Sequence, residues 1–179
     1  MKSRGKRLIG QPGRRGAPPW LWLVVALAAA VVAAGREAVR RASSVIVSGR
    51  AEVIDGDSLR IGGTELRLAG IDAPEYRQTC WRAGAPEPCG RHAREALAAL
   101  LAKGDPTCRV EGHDRFGRGL ARCMVGRQDV NRTMVEKGEA VSFGDYETAQ
   151  AQARAAGRGI WGTEFQRPAD WRAAHPRDP

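Results

Sequence analysis

The sequence predicts an α+β fold preceded by an apolar N-terminal helix, on three observations. Short β-like runs follow one another from residue 44 to residue 71, separated by glycine-containing turns, the pattern of a tightly turning antiparallel meander. Three helical stretches are interleaved after residue 90, each stopped by a glycine. Ahead of them lies an uncharged run, Gly16 to Gly35, between two basic clusters. At 179 residues there is room for one domain and an appendage.

The apolar core of that run, Trp20 to Ala34, is fifteen residues without a polar side chain. As a helix it covers about 22 Å, short of the roughly 30 Å of bilayer hydrocarbon, and Ala17-Pro18-Pro19 brings it close to spanning length. Trp20 and Trp22 suit the interfacial belt, and the basic residues from Lys2 to Arg15 should stay cytoplasmic. The expected order is a basic cytoplasmic tail over 1–19, a transmembrane anchor or signal segment over 20–36 and a linker over 37–43. An uncleaved anchor and a signal peptide cleaved after Val32-Ala33-Ala34 both remain open. The first gives a single-pass protein of the cytoplasmic membrane with its N-terminus inside and the domain extracytoplasmic; the second gives a secreted domain.

The net charge of +9 does not by itself point to nucleic acid. Residues 1–43 hold nine Lys and Arg against the single acid Glu37, while residues 44–179 hold twenty against nineteen. The domain is close to neutral and the basic excess belongs to the tail.

Four cysteines, Cys80, Cys89, Cys108 and Cys123, all lie in the part expected to be exported, where disulfides persist. No Cys-x-x-Cys spacing suggests zinc. Cys108 and Cys123 are symmetric about a turn at Arg115-Phe116 and would face each other across a hairpin. Cys80 and Cys89 would then close a loop; four buried thiols are the alternative.

The elements follow in order. Strands are expected over 44–47, 51–54, 58–61 and 64–71, then a long Pro-, Gly- and Cys-rich connection from Ala73 to Gly90. A helix over 91–103 places Ala93, Leu97, Leu100 and Leu101 on one side, and a hairpin runs from Thr107 to Val125. A short helix capped by Asp129 stops at Gly138, and an Ala-rich one covers 147–156. The end of the chain, with Trp161, Phe165 and Trp171, reads as irregular chain returning aromatics to the body, with 169–179 as a tail. Short strands with three helices suit a small, partly open barrel of OB type over 44–168.

Three clusters place charge inside apolar frames: Val53 to Leu59 with Asp55 and Asp57, Arg67 to Glu75 with Asp72, and Asp114 to Ala121 with Arg118. Carboxylates at the ends of adjacent strands make a hard-oxygen site for a cation such as Ca²⁺. Two arginines nearby would bind a phosphate bidentately and offset charge on a pentacoordinate centre, and a further carboxylate can take a proton from water. Arg67 and Asp72 are five apart and would face opposite ways on a regular strand, so a bulge or a strand end must lie between them. His92, His113 and His175 have no metal-ligand spacing, and a histidine base is not expected.

In order and spacing the three clusters resemble the staphylococcal nuclease-like (thermonuclease) family, from about Val53 to Pro168 and including Gly159-Ile160-Trp161-Gly162. The resemblance implies a five-stranded OB-fold β-barrel with three helices and Ca²⁺-dependent cleavage of DNA and/or RNA. By position it assigns the metal to Asp57, Asp72 and the Ala73 carbonyl, with Asp55 behind them. It assigns the phosphate to Arg67 and Arg118, and the general base to Glu75. Arg115, Phe116, Phe143 and Tyr146 fall where substrate contacts lie. Ala73, Ser58 and Phe116 stand where the family pattern has threonine, threonine and tyrosine. A monomer is expected. The competing class is an inactive nuclease-like OB module that binds single strands or an envelope partner; the complete set of site residues favours the enzyme.

Overall fold

The computed structural model describes residues 19–42 and 45–176. The chain divides into two units, 1–42 and 43–179, each described by itself. The basic tail expected over 1–19 lies outside the described residues except for Pro19.

In the first unit a single helix, α1 (Pro19–Ala42), forms where the anchor was expected and runs through most of the expected linker. Its apolar side chains are exposed, Leu23 at 72% and Leu27 at 69%. Among the described residues, however, no helix is long and apolar enough to cross a membrane. This corrects the expected transmembrane span over 20–36. The uninterrupted apolar stretch is only fifteen residues, and the helix continues into Arg36, Glu37, Arg40 and Arg41 rather than into more hydrocarbon-compatible chain.

The second unit is α+β. Its strands are β1 (Val45–Ser48), β2 (Ala51–Val53), β3 (Ser58–Ile61), β4 (Thr64–Leu68), β5 (Ile71–Asp72), β6 (Cys80–Arg82), β7 (Ala85–Glu87), β8 (Thr107–His113), β9 (Gly119–Val125), β10 (Gln128–Asp129) and β11 (Val141–Ser142). Its helices are α2 (Cys89–Leu101), α3 (Val130–Glu136), α4 (Glu147–Ala155) and α5 (Pro168–Ala174), with a 3₁₀ turn at Gly159–Gly162.

The main sheet runs β1-β8-β9-β4-β3-β2, with β10 on β9. Flat, six strands would hold β1 and β2 about 24 Å apart. Only Gly49 and Arg50 join them, a reach of about 11 Å at most. The sheet must therefore curl until its edges approach, which gives a half-barrel wall; its path has six strands, with β10 added on β9, where a five-stranded barrel was expected. Every pairing in it is antiparallel except β4 with β9. Inside the curl, Leu59, Leu66 and Leu68 from the wall meet Leu97 and Leu100 of α2 and Val130, Met134 and Val135 of α3, all essentially fully buried.

Asp129 caps α3 as expected, accepting from the Arg132 amide at 2.9 Å. Both cysteine pairs form, Cys80–Cys89 and Cys108–Cys123, the second joining residues directly opposite in the β8–β9 register. Three features depart from expectation. The strand begun at Thr64 ends at Leu68, not Ile71. Gly70, at φ +75°, turns the chain where a Cβ would lie 2.7 Å from that of Asp145, and β5 leaves the wall to pair with β11. The connection after Ala73 contains the β6–β7 hairpin, whose Pro86 is compatible with an edge position. Finally, 168–174 is helix rather than tail or irregular chain, so helices beyond the expected three are present.

Candidate active site

Local geometry gathers the three charged clusters at one end of the wall. Asp55 closes the turn before β3 by accepting from the Asp57 amide at 3.1 Å. Ser58 pairs with Arg67 across β3 and β4, placing that guanidinium beside Asp57. The break at Gly70 then allows Asp72, five residues after Arg67, to return to the same side. Arg67 donates to Asp57 Oδ1 at 3.0 Å and lies 2.7 Å from both Asp57 Oδ2 and Asp72 Oδ1. The strand end that the spacing required is therefore the feature that assembles the cluster.

Asp57 and Asp72 are buried, each 3% exposed. Asp57 also accepts from the Ser58 hydroxyl at 3.0 Å and the Ala73 amide at 3.1 Å. Burial pushes its carboxyl up to about 7; Arg67 and the Ala73 amide pull it down, while Asp55 and Asp72 push it further up.

Arg118 approaches from the β8–β9 turn. The parallel pairing of β4 with β9 starts at Leu66 opposite Gly119, which brings Arg118 beside the Arg67 strand. Its side chain donates to Asp114 at 2.8 Å and, more weakly, to the Ser58 hydroxyl at 3.4 Å, which links it to Asp57. Burial would raise the Asp114 pKa, but bonds from the Arg118 side chain and from the Phe116 and Arg118 amides hold it below its ordinary value. Phe116 stands exposed beside this group, with Arg115 and Arg118 over its ring at 4.7 and 5.6 Å.

Glu75 sits on a strap from Ala73 to Gly90. Gln78, buried at 1% exposure, accepts from the Glu75 amide at 3.2 Å and donates to the Gln166 carbonyl at 2.6 Å. Two residues on, Cys80 is bonded to Cys89 at the start of α2. Gly90 lies against the strap so closely that a Cβ there would collide with the Glu75 carbonyl. The strap is thus stapled to α2 and to the segment preceding α5.

Arg172 of α5 was not singled out from sequence, yet it completes the cluster. It donates to Asp72 at 2.8 and 3.1 Å and to Glu75 at 3.0 Å. Burial opposes its charge, but the bonds to Asp72 and Glu75 outweigh burial and hold the guanidinium above its ordinary range. Pro168 at the first helical position and Asp170 in the first turn were the available signals for α5. Its neighbour Trp171, stacked on His175 at 4.3 Å, helps line an open cleft of about 420 Å³ together with Trp81 and Phe165.

Of the remaining expected contacts, Phe143 is 70% exposed and its amide bonds Gly70, at the bend before β5. Tyr146 is half-buried, accepts from Arg122 at 2.9 Å and has Arg122 and Arg132 near its ring at 5.7 and 5.8 Å. The described contacts thus engage Tyr146 with Arg122 and Arg132, whereas Phe116 and Phe143 are exposed. Among the described residues no group of three or more His, Cys, Asp or Glu side chains converges as a metal cluster; the two aspartates face guanidinium groups.

A model of the family described as staphylococcal nuclease homologue matches residues 65–163. The chain belongs to that family. It is 41% identical over 123 residues to the succinoglycan biosynthesis protein ExoI of Rhizobium meliloti, with 64% of each chain covered. It is 29% identical over 133 residues to an uncharacterized endonuclease of Haemophilus influenzae, covering 68% of this chain and 70% of that one. To the probable staphylococcal-like nuclease CAN3 of Oryza sativa it is 30% identical over 114 residues, 60% of this chain and 28% of that one. The chain therefore spans under two thirds of ExoI and under a third of CAN3. As a member of the staphylococcal nuclease family it has a nuclease-type α+β domain with a curled sheet, and the charged clusters lie at one end of that sheet.

Proposed function

We propose that this chain hydrolyses phosphodiester bonds in DNA and/or RNA with Ca²⁺ as its metal, in an oxidising, extracytoplasmic compartment. The observation that carries the reading is the convergence of Asp57, Arg67 and Asp72 at the strand ends, with Glu75 and Arg118 at its margin. The relatives named as nucleases support the substrate class. The two disulfides support the compartment.

The donor set fits a hard cation. Asp57, Asp72 and the Ala73 carbonyl offer only oxygen, and two buried carboxylates lie side by side with Asp55 behind them. Bound there, Ca²⁺ would supply positive charge to a phosphate oxygen. The protein supplies the rest. Arg67 and Arg118 donate to the phosphate and to the charge that grows on its oxygens as water attacks in line. Glu75 accepts the water's proton. Exposed rings at Phe116, Phe143 and Trp81, the last on the cleft shared with Trp171, offer stacking faces for bases.

A catalytically silent binding module is the second reading, favoured by one observation: both oxygens of Asp72 already accept from guanidinium groups. The full chain, made under oxidising conditions, separates the two on linear and circular DNA and on RNA. Cleavage in Ca²⁺ that stops in chelator and falls on the order of 10²–10³ in Arg118→Ala is expected. Binding without cleavage in Ca²⁺ overturns the enzyme reading.

A further inference from the structure

The oxygens of Asp57 and Asp72 can be counted. Two ionised carboxylates offer about eight acceptor positions. Asp57 Oδ1 receives the Ser58 hydroxyl and Arg67, and Asp57 Oδ2 receives Arg67 and the Ala73 amide. Asp72 Oδ1 receives Arg67 and Arg172, and Asp72 Oδ2 receives Arg172. Seven contacts thus occupy the four oxygens that a cation would need. One position, on Asp72 Oδ2, is left, so a cation held by both aspartates needs a donor to withdraw.

The donors differ in how firmly they are built in. The Arg67 side chain is 17% exposed, stands on the inner strand β4 and bridges both aspartates. The Ala73 amide is backbone. Arg172 is 36% exposed, stands on a seven-residue helix and is the donor to both Asp72 oxygens at once. Its withdrawal alone would clear Asp72 Oδ2 and open a position on Asp72 Oδ1, with Arg67 left in place. The same guanidinium also holds Glu75, so the residue that guards the cation position also fixes the carboxylate read as the base.

We infer that Arg172 is a positioning residue of this site, an internal cation that ties Asp72 to Glu75 and is exchanged from Asp72 when a divalent metal binds. The inference rests on the reading of Asp57 and Asp72 as metal ligands. Because two cations compete for one set of oxygens, the linkage is reciprocal: Arg172 weakens metal binding, and metal binding loosens α5.

The test uses the full chain and Ca²⁺ alone, with no substrate. Calorimetry, or displacement of luminescent Tb³⁺, should show Arg172→Gln binding Ca²⁺ about tenfold more tightly than wild type, within the usual range for coupled sites. Arg172→Lys, which keeps the charge but not the fork, should fall between them. In the unmutated chain, hydrogen exchange of the 168–174 amides should speed up on Ca²⁺ saturation, a readout independent of any variant's folding. Equal Ca²⁺ affinity in wild type and Arg172→Gln, or exchange in α5 that slows with Ca²⁺, overturns the inference and leaves the metal reading intact. Absence of Ca²⁺ binding by both proteins overturns the metal reading and this inference with it.

Discussion

The two halves of the site are built by different means. Asp57, Arg67 and Asp72 are placed by the barrel wall, where strand register and the break at Gly70 fix their positions. Glu75 and Arg172 are placed by a strap and a short helix held by scattered contacts: Gln78 to Gln166, Cys80 to Cys89, the Trp81–Glu164 backbone bridge, and Arg172 to Asp72 and Glu75. Register is a collective property of many backbone bonds, whereas each staple is a local contact of one to three bonds. Perturbing the wall should therefore cost folding and chemistry together, and perturbing the strap should cost chemistry first.

The largest effect is expected from Arg67→Ala in the wall. It leaves Asp57 buried without its main partner, so denaturant unfolding should show a loss of about 3–5 kcal/mol. The cleavage rate of the remaining folded protein should drop on the order of 10²–10³. Next comes the pH response of the wall carboxylate. The Asp57 carboxyl is pushed up to about 7 in the folded chain from an ordinary 3.8. Ionising it costs the folded state: its contribution to stability is fully present below pH 3.8 and is lost as pH rises through 7. In chelator, wild type should lose up to about 4 kcal/mol relative to Asp57→Asn between pH 4 and pH 8. A gap constant over that range would contradict the assignment.

The disulfides sharpen the contrast. Cys108→Ser with Cys123→Ser opens a 15-residue separation inside the wall and should cost about 3 kcal/mol, with cleavage falling in step with the folded fraction. Cys80→Ser with Cys89→Ser releases the strap, and its signature should be a lower kcat at matched folded fraction. Gly90→Ala presses on the strap without cutting it. Its Cβ must push the Glu75 carbonyl away, costing about 1–3 kcal/mol in stability. The rate loss should be larger in proportion, on the order of 10² for a base displaced by about 1 Å.

The wall half was legible in the sequence. Acids inside apolar frames, the spacing of Arg67 and Asp72, and the symmetry of Cys108 and Cys123 about one turn all report on local register. The strap half was not. Gln78 reads as an ordinary polar loop residue until Gln166, 88 positions away, gives its amide a partner. Arg172 lies 100 residues beyond Asp72 in a helix of seven, too short for periodicity to stand out. The β6–β7 hairpin was hidden by Gly84 and Pro86, which punctuate chains as loops more often than as edge strands. At the other end of the chain, hydrophobicity alone suggested a span that the described helix does not provide.

Single-turnover cleavage of DNA in ¹⁸O-enriched water addresses the proposed chemistry most directly. Attack by water at phosphorus predicts one heavy oxygen in the newly formed terminal phosphate, and none when Ca²⁺ is chelated because no product forms. A cleaved product whose phosphate carries only the original oxygens would contradict hydrolysis at this site.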